Sequence, residues 1–142
     1  MEIKQRVNRL CRKYGTRDPF ELAERMNILV VREPLGSING YYNQCYRQKF
    51  IHINEELEEY RQKFTCAHEL GHAVLHPKAN TPFLRDNTLF SVSRLEREAN
   101  CFAAEPLCPD EVLLEYPGCT VGGLARSLGI REEALWACKG LG

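Results

Sequence analysis

The sequence predicts an α+β domain: a small, mostly antiparallel three-stranded sheet packed with one buried helix and several amphipathic ones. Three short strand-like runs follow one another, Ile28–Arg32, Ile38–Asn43 and Lys49–Asn54. Runs of this kind, separated by Pro34, Gly36 and a polar turn, build a small sheet. Apolar residues at helical spacing govern the chain before and after them. The segment from Phe64 to His76 is apolar nearly all round a helical wheel, which marks a buried helix.

Taken in order, Ile3, Val7, Leu10 and Cys11 give residues 2–14 one apolar face, and Gly15 ends that helix. Asp18 and Pro19 start a second helix as N-cap and first helical residue, with Phe20, Leu22, Ala23 and Met26 on its apolar side. The strands come next, the second and third joined by the turn Asn43–Gln48. A long helix is expected from near Leu57 to the residue before Pro77, then a loop over 77–92, where Pro77 and Pro82 stand without periodicity. Ser93 to about Glu105 forms a further helix, closed by Pro106 and Pro109. Asp110–Tyr116 reads as a short helix stopped by Pro117-Gly118. From Thr120 the pattern is helix, turn at Gly129, helix. Residues 1–119 therefore make the main domain, and 120–142 a helical hairpin packed on it.

A length of 142 residues suits one domain with a real core. Lysine plus arginine equals aspartate plus glutamate at 19 each, so charge gives no case for a nucleic-acid or membrane partner. The start, MEIKQRVNRLCRKYG, lacks the apolar stretch of a signal peptide. The longest aliphatic run, Ile28–Val31, is far too short to span a bilayer. A soluble, cytoplasmic protein is expected. The 7 cysteines are odd in number and form no CxxC pair, so they read as reduced packing residues.

The polar strip of the buried helix is Thr65, His68, Glu69, His72 and His76. Buried polar groups need partners, so the strip must face something that requires it. His68, Glu69 and His72 form the pattern HExxH. Two histidines four apart point the same way and can grip one metal ion, and the glutamate between them can act as a base. A catalytic zinc needs a third protein ligand and an open position for water. His76 is next along the strip, but eight helical residues separate it from His68 by about 12 Å. It is better placed to touch substrate or to cap the helix.

Glu96 is the stronger candidate. On the wheel it falls within the apolar arc of Leu95, Ala99, Phe102, Ala103 and Leu107, whereas Arg97, Glu98, Cys101 and Glu105 lie outside. A carboxylate on a buried face needs a cation or a strong hydrogen-bond partner. Asn100, one turn on, could accept from the second ring N–H of a ligand histidine. Ser93-x-x-Glu96 is also a capping box, which needs no metal.

FTCAHELGHAVLH followed by EREANCFAAEPLCPD resembles the ImmA/IrrE family of zinc metallopeptidases, whose motifs run HELGH, then ExEAN and a leucine pair. DPFELAERMNILV and INGYY with KFIHIN resemble members carried by phages and mobile elements of Gram-positive bacteria. The resemblance covers roughly residues 15–115. It implies a zincin-like fold and a cytoplasmic role in cleaving or inactivating a helix-turn-helix repressor. It also implies one zinc per chain, with His68, His72 and Glu96 as ligands and Glu69 as catalytic base. Glu105 to Pro109 departs from the family pattern, which favours a leucine pair and a methionine there.

Two other readings stand beside this one. LARSLGIREEALWACK at 124–139 has the pattern of a DNA-binding helix-turn-helix, but Glu132 and Glu133 open its second helix and repel phosphate. A non-catalytic, metal-stabilised protein that captures a repressor is the other.

Overall fold

The computed structural model describes residues 2–78, 94–107, 120–128 and 132–139. Helix α1, Ile3–Tyr14, buries Val7 and Cys11 and ends at Gly15, whose φ of 67° lets its N–H return to Cys11 O. A left-handed residue closing a helix is the position glycine fills at least cost. Helix α2, Pro19–Arg25, begins as its sequence requires: the Asp18 carboxylate accepts from the Phe20 N–H at 3.2 Å.

Strands β1, Ile28–Glu33, β2, Gly40–Cys45, and β3, Gln48–Asn54, form one sheet in the order β1-β3-β2. β2 and β3 pair antiparallel, with Tyr42 opposite Ile51. β1 pairs with β3 in parallel, with Val30 opposite Ile51, so the sheet is mixed where the sequence pointed to a mostly antiparallel one. The cause lies in the loop from β1 to β2, which crosses the end of β3. Asn54, 3% exposed, donates from its side-chain amide to Gly36 O at 3.0 Å and Ile38 O at 3.1 Å, and its N–H reaches Asn39 O. These bonds hold the crossing loop and place β1 on the far side of β3.

The hairpin turn is also tighter than expected. Tyr46 and Arg47 alone join β2 to β3, at φ 49° and 69°. A two-residue turn with both residues left-handed matches the twist of paired strands, and it usually carries asparagine or glycine. Tyr46 and Arg47 bear no such signal, so the expected turn was longer and β2 began two residues early.

Helix α3, Glu59–Leu75, buries every residue from Phe64 to Ala73. Helix α4, Arg94–Leu107, continues through Pro106, where an end was expected. Proline inside a helix removes one backbone bond and strands carbonyls. Arg17 caps the end of α4, donating to the last-turn carbonyls Glu105 O at 2.9 Å and Pro106 O at 3.2 Å. Glu105, expected outside the apolar arc, is 2% exposed. Helices α5, Val121–Leu128, and α6, Glu132–Lys139, follow, with α6 packed on α4 and Leu135 fully buried. The helix expected at Asp110–Tyr116, most of the loop at 77–92, the Ser93 capping position and the turn at Gly129 lie outside the described residues. No helix among the described residues is long and apolar enough to cross a membrane.

The core joins the inner face of the sheet (Ile28, Tyr42, Ile51, Ile53) to Cys66, Leu70 and Ala73 of α3. Val7 and Cys11, Leu22 and Ala23, and Phe102 close it from α1, α2 and α4. Cys11, Cys45, Cys66 and Cys101 are thiols. Burial pushes the Cys66 thiol far up from 9.0, with the Asp18 carboxylate adding to it, and burial raises Cys11 as well. A raised folded-state pKa makes the native protein hold its proton longer than the unfolded chain does, so stability is full below about pH 9 and declines above it. Urea midpoints should therefore fall between pH 8 and pH 10.5, and less steeply in Cys66→Ala. An equal slope in the variant would show that Cys66 is not the group responsible.

Candidate metal centre

The site begins with the spacing of two histidines on α3. His68 and His72 stand one turn apart, their ring centroids 5.0 Å from each other and their planes nearly perpendicular at 80°. His72 is fully buried and His68 is 5% exposed. Glu69, between them in sequence, is fully buried too.

Helix α4 brings the carboxylate. Glu96 Oε1 lies 2.8 Å from His72 Nε2, and Glu96 Oε2 lies 3.2 Å from His68 Nε2. One carboxylate thus reaches both rings. The reason it can is Gly71. A Cβ at that position would lie 2.9 Å from the Phe102 Cβ and 3.1 Å from the Ala99 Cα. Hydrogen in place of a side chain lets the two helices approach, and Ala99 keeps the facing surface low. A bulkier residue at either position would move Glu96 outward.

The donor set suits a divalent metal. One ligand atom from each of His68, His72 and Glu96 lies within 4.8 Å of the other two. Ligand atoms of a four-coordinate zinc with bonds of about 2.1 Å are about 3.4 Å apart, and Glu96 stands 3.2 Å from His68 Nε2 and 2.8 Å from His72 Nε2. Two imidazoles and one carboxylate are ligands zinc accepts readily, and three protein ligands leave a position for water or substrate. A cation and ring protons compete for the same atoms.

The end of α3 is held from three sides. Pro77 disfavours helical backbone at the residue before it, and His76 leaves the helix at φ −135°, ψ 58°. Lys49 of β3 donates to Ala73 O at 3.0 Å, and the Tyr42 hydroxyl of β2 donates to Pro77 O at 2.6 Å. The His76 ring folds back on His72, Nδ1 to Nδ1 at 3.2 Å, while its Nε2 meets Glu98 Oε1 at 2.8 Å. Asn100, expected to serve a ligand histidine, has its buried Oδ1 without a hydrogen bond among the described residues. The nitrogen of His72 that faces away from Glu96 is met by His76 instead. Neither His76 nor Glu98 was given this place by the sequence. Pro77 was the available signal, because it turns the preceding side chain off the helical path.

Tyr41 of β2 and His52 of β3 stand opposite each other on the sheet. His52 bonds to Glu33 at 2.7 Å and to Asn43 at 3.0 Å, with the Tyr41 ring stacked on it at 4.2 Å. Burial raises the Tyr42 hydroxyl above its ordinary value, and burial together with the Glu33 charge raises that of Tyr41.

Comparison with known proteins agrees with the fold and with a metal-dependent family. Residues 23–135 match the peptidase M78 family, described as the IrrE N-terminal-like domain. Over 115 residues the chain is 50% identical to the protein named Uncharacterized immunity region protein 2 of Bacillus phage phi105, covering 80% of this chain and 73% of the relative. It is 34% identical over 115 residues to Metallopeptidase ImmA of Bacillus subtilis (strain 168), covering 80% of this chain and 67% of that one. The architecture is that of a small zincin-like domain, and the chain belongs to the ImmA/IrrE family of metallopeptidases.

The α3–α4 approach can be tested directly. Gly71→Ala should lower stability, because overpacking against Phe102 and Ala99 costs about 1–3 kcal/mol. That loss exceeds the gain of up to about 1 kcal/mol from removing a mid-helix glycine. Urea denaturation measures the balance, and a variant as stable as the parent would show that the helices do not depend on this contact.

Proposed function

We propose that this chain is a zinc-dependent endopeptidase that cleaves or inactivates a helix-turn-helix repressor of a phage or mobile element. The observation that carries the proposal is the Glu96 carboxylate set against both imidazoles of His68 and His72, with Glu69 buried in the same strip. In this reading those three residues hold one zinc ion per chain. Bound zinc supplies Lewis acidity, which lowers the pKa of water and polarises the scissile carbonyl. The Glu69 carboxylate accepts the proton of the attacking water and passes it to the leaving amine nitrogen as the C–N bond breaks. Full burial keeps Glu69 away from bulk solvent that would otherwise compete for that proton.

The choice of substrate rests on the relatives, one named for a phage immunity region and one named a metallopeptidase. Such a repressor works on DNA in the cytoplasm, so the chain is placed there as well. DNA itself is a poor partner. The 19 basic and 19 acidic residues balance, and Glu132 and Glu133 stand exposed at the start of α6. Residues 1–119 carry the chemistry in this reading, and 120–142 form a hairpin braced on α4.

Metal analysis of the purified chain should find about one zinc per molecule. His72→Ala and Glu96→Ala should each lose it, and zinc undiminished in Glu96→Ala would move the third ligand elsewhere. Glu69→Gln should keep fold and zinc while hydrolysis falls by about 10²–10⁴-fold, the usual worth of a general base. The assay is incubation with the repressor encoded beside this protein, with and without a chelator. A metal-dependent product supports the peptidase. A stable complex with no product, unchanged in Glu69→Gln, would replace it with capture of the repressor.

A further inference from the structure

His76 and Glu98 take no part in the chemistry proposed above, yet they extend the ligand set by two hydrogen bonds. His72 Nδ1 and His76 Nδ1 are 3.2 Å apart, and His76 Nε2 is 2.8 Å from Glu98 Oε1. We propose that Glu98 and His76 form a relay that fixes the proton of His72 on Nδ1 and so leaves its Nε2 lone pair for the metal. The inference rests on the reading of His68, His72 and Glu96 as zinc ligands.

The relay follows from what each group can donate. An ionised carboxylate only accepts, so the bond to Glu98 places a proton on His76 Nε2. A neutral imidazole with one nitrogen protonated offers the other as an acceptor. His76 Nδ1 therefore accepts, and the hydrogen it accepts is the one on His72 Nδ1. His72 Nε2, 2.8 Å from Glu96 within the three-residue set, is then left without a proton, so that a cation takes the place of the hydrogen it would otherwise donate to Glu96. One carboxylate thus settles the tautomers of two rings.

Burial gives the relay its weight. The His72 side chain is fully buried and that of His76 is 10% exposed, so water is a poor substitute for either bond. Without the relay, His72 could equally carry its proton on Nε2 and donate it to Glu96, turning its lone pair away from the metal. Ligand histidines commonly donate their second ring N–H to a carboxylate or carbonyl, and losing that partner typically weakens metal binding about 10–100-fold. Here a second histidine stands between ring and carboxylate. A mere helix cap would not need the ring at all, because the His76 backbone N–H already bonds to His72 O at 2.8 Å.

Glu96 and Glu98 thus divide the work. Two residues apart, they point about 200° from each other around α4. They meet different rings because His76 lies one turn beyond His72 and off the helical path. His76 and Glu98 are positioning residues, acting on the metal through His72.

Zinc affinity measured by competition with a chromophoric chelator tests this on the full chain. His76→Ala and Glu98→Ala should each bind zinc about 10–100-fold more weakly, with unchanged circular dichroism. The double variant should be no worse than His76→Ala, since both residues act through one bond. Glu98→Gln, which keeps an acceptor for His76 Nε2, should recover most of the loss in Glu98→Ala. In the zinc-loaded parent, nitrogen NMR should show a slowly exchanging His72 Nδ1 proton with a scalar coupling to His76 Nδ1, both absent in His76→Ala. Parent-like affinity in His76→Ala and Glu98→Ala, with zinc still lost in His72→Ala, would overturn the relay and leave the zinc site standing. Zinc retained in His72→Ala would overturn the metal reading and the relay together.

Discussion

Helices α3 and α4 meet with Gly71 set against Ala99 and Phe102, so close that no Cβ fits at residue 71 without displacing them. That approach is what allows a side chain as short as glutamate to reach two imidazoles on the neighbouring helix. His68 and His72 share a face through helical periodicity alone. The Glu96 carboxylate comes from elsewhere in the chain and has no such local guarantee. Its place depends on how deeply two helices pack, and packing depth here is set by the smallest residue available.

The polar groups gathered at this contact are expensive to bury. Taking a charged group out of water costs several kcal/mol even after relaxation, and Glu69 and His72 are wholly out of reach of solvent. Each polar strip is therefore embedded in small apolar neighbours that supply burial without bulk: Cys66, Ala67 and Ala73 on α3, and Ala99 and Ala103 on α4. Cys66 has a further consequence. A thiolate there would be a soft competitor for a transition metal, but burial holds the group firmly as a thiol. The residue packs and does not compete.

Much of this was legible in the residues. The HExxH strip, the all-round apolar helix that carries it and the inward-facing, half-buried position of Glu96 follow from period and polarity, and those cues report on local geometry. What stayed hidden depends on chain reversals and on distant partners. Pro106 reads as a helix stop, yet α4 runs past it to Leu107, and Arg17, nearly ninety residues earlier, caps the carbonyls of that last turn. Asn54 reads as the polar end of a strand, although its side chain binds the crossing loop and makes the sheet mixed. Glu98 sits on the polar side of its wheel, and nothing along α4 shows that a histidine displaced by Pro77 waits opposite it.

The sheet has a part in the site that its sequence position does not suggest. Lys49 and Tyr42 bind the last carbonyls of α3 and the residue just past it, so the strands fix the helix end from which His72 and His76 project. Tyr42 and Lys49 lie on adjacent strands of one hairpin, and their places depend on its register. A slip of one residue in β2 would send Tyr42, fully buried opposite Ile51, to the outer face. Register in a hairpin is set by its turn, here two left-handed residues, Tyr46 and Arg47, at the far end of the strands. Left-handed backbone is costly for side chains of this size. The cost is tolerated because the turn fixes which residues face the helix, and through them the carbonyls and rings at its end.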